Sequence, residues 1–231
     1  MKYTASRTQF LAICAFAIGL AVAARSGSQL EGEETSRTTC DALEREIVTE
    51  INRLRAHPQS YIGLLERLRN EYDGTRLTLT GQGYEFTVIT KEGWPAVEEA
   101  IQALQITLPQ PALKVSEGLS LAARDHARDQ AGRQHVSHTG SEGSTFIERI
   151  GRYVQNVDSA GESITVGGVP SAVEVLQKSL IDDGIKSRPH RLDLLSKDFS
   201  LIGVACEPRA YSGFLCVMEF ASQVGGLAGS R

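Results

Sequence analysis

The sequence predicts a mixed α/β domain, one of about two hundred residues once its N-terminal segment is set aside. Apolar residues recur at helical spacing in several separate stretches, and two β-rich stretches near the C-terminus are joined by a loop holding Pro208 and Gly213. Apolar side chains make up 41% of the chain, enough for one core without a disulfide framework.

The N-terminus carries an export signature. Lys2 and Arg7 precede Phe10–Ala24, a run that is apolar apart from Gly19, and Ala21-Val22-Ala23 offers a small-x-small cleavage site. Residues 1–24 are therefore expected to be a secretory signal peptide, the alternative being an uncleaved anchor. Cys14 has no convincing lipoprotein box before it. No later stretch is long and apolar enough to span a membrane, so none is expected in the mature chain. Residues 25–40 are polar, rich in Gly, Ser, Thr and Glu, and read as a disordered leader.

The domain is expected over 41–222. Leu43, Ile47, Val48, Ile51 and Leu54 form a helical stripe behind Asp41, and Pro58 ends or restarts that helix. Tyr61, Leu64, Leu65, Leu68 and Tyr72 continue at helical spacing as far as Asp73-Gly74. Alternation around Gly81-Gln82-Gly83 predicts a hairpin, and Pro95 opens a helix carrying Val97, Ile101 and Leu104. Segment 73–111 holds too few apolar residues to fold alone and reads as an insertion or arm against the core. Ser116 is placed to cap a helix whose stripe, from Leu119 to Gln130, is mostly small, so it can lie close to a neighbour. A shorter helix follows at 146–153, a strand at 163–166, and a helix opened by Pro170. Strands are expected at 199–206 and 214–220. Residues 223–231 read as a flexible tail.

Charge and cysteines narrow the classes. The chain has 24 Lys and Arg against 28 Asp and Glu, and removal of 1–24 would take away two bases and no acid. An acidic surface without a basic block argues against nucleic acid and against adsorption to anionic lipid headgroups. Cys206 and Cys216 share a parity across a hairpin and are the expected disulfide in an oxidising compartment. Cys40 is left over, either free or paired between chains.

Of five histidines, His57 reads as a surface or packing residue, His126 as a buried hydrogen-bonded one and His135 as solvated. His138 lies in a loop after a helix, and His190 directly precedes a helical turn. Glu162 enters a strand between them, while Asp182 and Asp183 sit at a helix C-terminus, where a cation or histidine would offset the unfavourable dipole. Spacing alone makes this set a weak signal.

Several segments, in order, resemble one family. Asn52-Arg53-Leu54-Arg55 with Pro58, and Leu113-Lys114-Val115-Ser116 leading to Leu121-Ala122-Ala123, are similar to the opening helices of bacterial-type CAP (cysteine-rich secretory, antigen 5, pathogenesis-related, or SCP) domains. His138-Thr139-Gly140 resembles the family's histidine loop. Gly161-Glu162-Ser163-Ile164 resembles its Gly-Glu-Asn-Ile motif, with Ser163 for Asn. Leu180-Ile181-Asp182-Asp183-Gly184 resembles the segment where Trp-x-x-Glu is commoner. Pro189-His190-Arg191 stands for Gly-His-Arg, and Leu201-Ile202-Gly203-Val204 resembles the strand that follows.

The resemblance implies a three-layer α-β-α sandwich with a central antiparallel sheet. It implies an open cleft lined by His138, Glu162, His190 and Asp183, with Asp182 as the alternative acid. Zinc or another divalent metal held by His138, His190 and Glu162 is compatible with those side chains. Asp is one methylene shorter than Glu, and Pro189 stiffens the approach to His190.

Three functions are carried forward. The first is a secreted binding module for a lipid or sterol, a divalent metal or a protein partner. The second is a zinc-dependent hydrolase with Glu162 as general base, although no His-Glu-x-x-His helix is present. The third is a structural or defence-related surface protein. No catalytic residue is assigned. Ser141 and Ser144 do not form a nucleophile elbow and read as helix caps.

Overall fold

The computed structural model describes residues 38–81, 84–168, 171–209 and 213–223. The expected signal peptide, nearly all of the leader and the tail beyond 223 lie outside the described residues. Helix α1 (38–56) already includes Cys40, which is buried, so ordered chain begins before Asp41.

Leu43, Ile47, Ile51 and Leu54 line one face of α1 and are fully or almost fully buried. The second stripe is shorter than its spacing suggests. Pro58–Tyr61 and Arg67–Glu71 wind as 3₁₀ turns around a five-residue helix α2 (Ile62–Glu66). Strands β1 (Tyr72–Asp73), β2 (Arg76–Gly81) and β3 (Tyr84–Ile89) form a small antiparallel meander. Helix α3 (Trp94–Ile106) follows with Pro95 in its first turn and buries Val97, Ala100, Ile101 and Leu104.

The central sheet has the order β4-β6-β7-β5, from β4 (Lys114–Val115), β6 (Leu201–Pro208), β7 (Phe214–Gln223) and β5 (Val157–Gly167). Its three long strands pair antiparallel. Two-residue β4 adds a parallel edge beside β6, so the sheet is mixed rather than wholly antiparallel. β5 runs well beyond the expected 163–166. Cys206 and Cys216 are direct partners across β6 and β7 and form the disulfide.

Parity sorts the sheet into two faces. Ile202, Val204, Met218 and Phe220 face one core with α1, α3, α6 (Ala172–Ile181) and α7 (Pro189–Leu195). Ala205, Leu215, Val217 and Ala221 face α4 (Glu117–Ala131) and α5 (Phe146–Gly151) on the other side. That arrangement is the α-β-α sandwich. The Ala-rich stripe of α4 does bring it close. A Cβ on Gly203 would stand 2.1 Å from the Leu119 carbonyl carbon, so only glycine fits there.

Side chains fix the layers to one another. Asn52 exchanges two hydrogen bonds with the Leu113 backbone, and buried Arg55 donates to the carbonyls of Pro111, Leu194 and Ser196. Satisfied in this way, a buried guanidinium joins α1 to the segments leading into β4 and β6. Among the described residues no helix is long and apolar enough to cross a membrane.

Candidate functional site

Local sequence sets each piece of the site. Ser116 caps α4, with its side chain accepting from Leu119 N. Helix α5 is capped by Thr145 in a reciprocal box with Glu148, not by Ser141 or Ser144. The loop between these helices carries His138. Helix α6 ends where Asp182 adopts a left-handed conformation (φ 52°), and Arg188 does the same (φ 50°) just before α7. Pro189 takes the first position of α7, where a missing N–H costs nothing, so the stiffness expected from it sets His190 rather than hindering it.

His138 and His190 come together with ring centroids 5.9 Å apart and planes 28° from parallel. Each is backed by a carboxylate. His138 Nδ1 lies 2.7 Å from Glu162 Oε1, and His190 Nδ1 lies 2.8 Å from Asp182 Oδ1. A carboxylate only accepts, so Nδ1 is the protonated nitrogen and Nε2 carries the lone pair in the neutral ring. The His190 Nε2 atom is buried without a hydrogen-bond partner. His138 is the open member, its side chain 53% exposed.

Two placements differ from expectation. The acid on His190 is Asp182, which also accepts from His190 N at 2.9 Å and so closes the chain around the helix end. Asp183 instead accepts from the backbone N–H groups of Lys91 and Glu92, joining the insertion to α6. Glu162 lies behind His138, buried, with its second oxygen 2.5 Å from Arg149 Nη2. Both its oxygens are engaged, so it orients a histidine and is not offered as a metal ligand. Among the described residues no group of three His, Cys, Asp or Glu is placed to hold a metal ion.

Three further groups escaped the sequence reading. Arg149, buried beneath the loop, also donates to the carbonyls of Ser144 and His138. Glu219 is the partner of Glu162 across β5 and β7 and is fully buried. Burial, then the neighbouring Glu162 charge, raises its carboxyl well above the usual range. Burial also pushes Glu162 up, but the His138 hydrogen bond and Arg149 outweigh it, and the net shift is downward. Asp193, one turn after His190, receives the Ser163 hydroxyl at 3.2 Å. Burial raises its carboxyl to about 6, against the opposing pull of Ser163 and the two histidines.

His126 is fully buried, its Nε2 2.8 Å from the Ser137 carbonyl, and burial lowers its basicity. It supports the loop from below, as a neutral core histidine. His57 and His135 are exposed.

A second cluster braces His190 from the insertion. Arg188 donates to both Glu92 and Glu99 and to the carbonyls of Asp182 and Ile185. Arg191 joins Glu99 to the carbonyls of Leu180 and Ile181. Beside His190 opens a groove of about 480 Å³ between the β2–β3 hairpin, β5 and α6. Its walls include Leu77, Leu79, Val88, Ile164 and Ile181, and Asp182 and His190 also line it.

The chain has counterparts among known proteins. It shares 25% identity with an extracellular protein containing an SCP domain from Bacillus anthracis str. Ames. That match has a TM-score of 0.40 and covers 49% of this chain and 35% of the other, so it spans about a third of that protein. An outer surface protein from Borrelia burgdorferi is 21% identical, with a TM-score of 0.43 over 57% of this chain and 91% of the other. No curated protein matches the sequence. The family described as the cysteine-rich secretory protein family, CAP, matches residues 49–220, three-quarters of the chain, and this protein belongs to it.

Proposed function

We propose that this chain is a secreted, extracytoplasmic binding module that takes its ligand between His138 and His190. The observation behind this reading is the paired imidazoles, each held through Nδ1 by a carboxylate that leaves Nε2 as the working atom. Carboxylate-backed histidines of this kind are the usual means of orienting a ring toward a cation or a polar ligand. The buried, partnerless Nε2 of His190 supports a missing partner at that atom. Secretion rests on Lys2, Arg7 and the apolar run to Ala24, and on the family.

The donor set suits a divalent cation held by two imidazoles, with the remaining positions left to water or to an anionic ligand. Zinc there would supply Lewis acidity. His138 and His190 would hold it, Glu162 and Asp182 would fix the rings, and Arg149 would keep Glu162 ionised. A two-histidine hold is short of the three protein ligands of most catalytic zinc sites, which favours binding over hydrolysis.

Zinc titration by calorimetry on the mature protein tests the reading, with His138→Ala and His190→Ala alongside. Stoichiometric binding lost in both variants is expected at pH 7. Binding that survives in both would sink the two-imidazole site, and no binding in the parent protein would turn attention to organic ligands at the same nitrogens.

A further inference from the structure

The groove beside His190 has a feature that an apolar cavity does not need. It is lined by five consecutive residues of one strand and its end, Ile164 to Gly168. Neighbouring side chains of a strand point to opposite faces, so a groove touched by all five runs along the strand's edge and not over a face. The flanking contacts agree. Ile164 and Val166 pack toward α4, whereas Thr165 meets Ser179 of α6 at 3.1 Å.

β5 is the outermost strand of the central sheet, and among the described residues it pairs with β7 alone. Its outer row of backbone groups faces the groove. Two of them have side-chain partners: Lys178 Nζ lies 2.8 Å from the Val166 carbonyl, and Gly168 N donates to Glu174 Oε1 at 3.2 Å. An ammonium therefore stands where a neighbouring strand's N–H would otherwise be. Across the groove, Leu77, Leu79 and Val88, which share one face of the hairpin, form an apolar wall, with Val88 39% exposed. Of the three carboxylates that line it, Glu174 pairs with Lys178 at 2.7 Å and Asp182 is buried against His190, while Asp183 has no ion-pair partner among the described residues.

We propose that this groove binds an extended peptide segment as an added strand on the edge of β5, apolar side chains against the hairpin wall and a cationic side chain toward Asp183. The proposal rests on the reading of the chain as a binding module and not on the cation. An acyl chain would fill the volume but leave the strand's other outward N–H and C=O groups without partners. A carboxylate headgroup would meet the charge of Asp183. A peptide strand satisfies both the row of backbone groups and the apolar wall, the recognition mode of sheet-edge binders. The volume is within the ordinary range of about 300–1,000 Å³ for ligand sites. Residues Ile164–Gly167 give about 13 Å of edge, enough for four peptide residues.

The test uses the mature protein and a fluorescent hexapeptide, acetyl-Val-Lys-Val-Lys-Val-Lys-amide. Two further versions carry N-methyl groups on alternate amides, one on the odd and one on the even set. An added strand turns only every other amide toward its neighbour. One methylated isomer should therefore bind like the parent and the other at least tenfold more weakly. Hydrogen exchange of the 164–168 amides should slow when the parent peptide is bound. Val88→Ser, at an exposed position that does not threaten the fold, should weaken binding several-fold, and replacing the peptide's lysines by glutamates should abolish it. Equal binding of both methylated isomers, or protection of 164–168 by palmitate and not by the peptide, overturns the proposal. Zinc titration on the same protein reports the histidine pair separately, so failure of one reading is distinguishable from failure of the other.

Discussion

Asp193→Asn should make the protein more stable at neutral pH and leave it unchanged near pH 4. The Asp193 carboxyl packs against Gly161, where an added Cβ would lie 2.6 Å from Oδ1, and its one described hydrogen-bond partner is the Ser163 hydroxyl. Burial raises its pKa to about 6, from an ordinary value near 3.9. Because the folded-state value is the higher one, the folded protein holds the proton more tightly between pH ~4 and ~6. Stability from this group is thus full below pH ~4, falls as pH rises to ~6 and stays low above. Two pH units correspond to an upper bound of about 3 kcal/mol, and partial solvation of the group reduces the expected cost to roughly 1–2 kcal/mol. Asparagine keeps the shape and the Ser163 contact without the charge. Thermal melts of both proteins from pH 4 to 7.5 should therefore coincide at the acid end and separate by roughly 2–8 °C at the neutral end. A gap that is absent, or that favours the parent protein at pH 7.5, would refute the argument. It would mean that attraction to His138 and His190 exceeds the cost of burial.

The remaining expectations concern the scaffold. Arg149→Leu leaves the Glu162 charge buried without its cation, and urea unfolding should show a loss on the order of 3–5 kcal/mol. Replacing Cys206 and Cys216 together by serine should cost about 2–4 kcal/mol, and reductant should lower the parent's melting temperature comparably. Gly203→Ala puts a methyl group into the α4 backbone, which cannot yield as a side chain would, so a loss of about 3 kcal/mol or more is expected by the same denaturation.

Much of this architecture was legible because helices and strands differ in period. The stripes of α1, α3 and α4 face the cores that their spacing implies, and the parity of Cys206 and Cys216 places them opposite one another. The limits were equally physical. Asp182 and Asp183 are neighbours, and a left-handed turn at Asp182 decides which one meets His190; periodicity carries no information about a single backbone reversal. Arg149 lies in a six-residue helix too short to show a stripe. Glu219 did leave a signal. Leu215, Val217 and Ala221 alternate with it toward α4, so a carboxylate stood in the inward register of an otherwise apolar strand. Such a residue implies a perturbed acid, and burial beside Glu162 raises this one well above the usual range.

The brace on Arg188 has a consequence for how this domain can vary. Its guanidinium is held by Glu92 and Glu99, both of which belong to the segment between Asp73 and Pro111. Shortening that segment would strand a cation in a left-handed backbone position two residues before a cleft histidine. The insertion and the arginine thus depend on one another. Relatives with a brief connection there should carry a different residue at this position, and those that keep the arginine should keep its two acids.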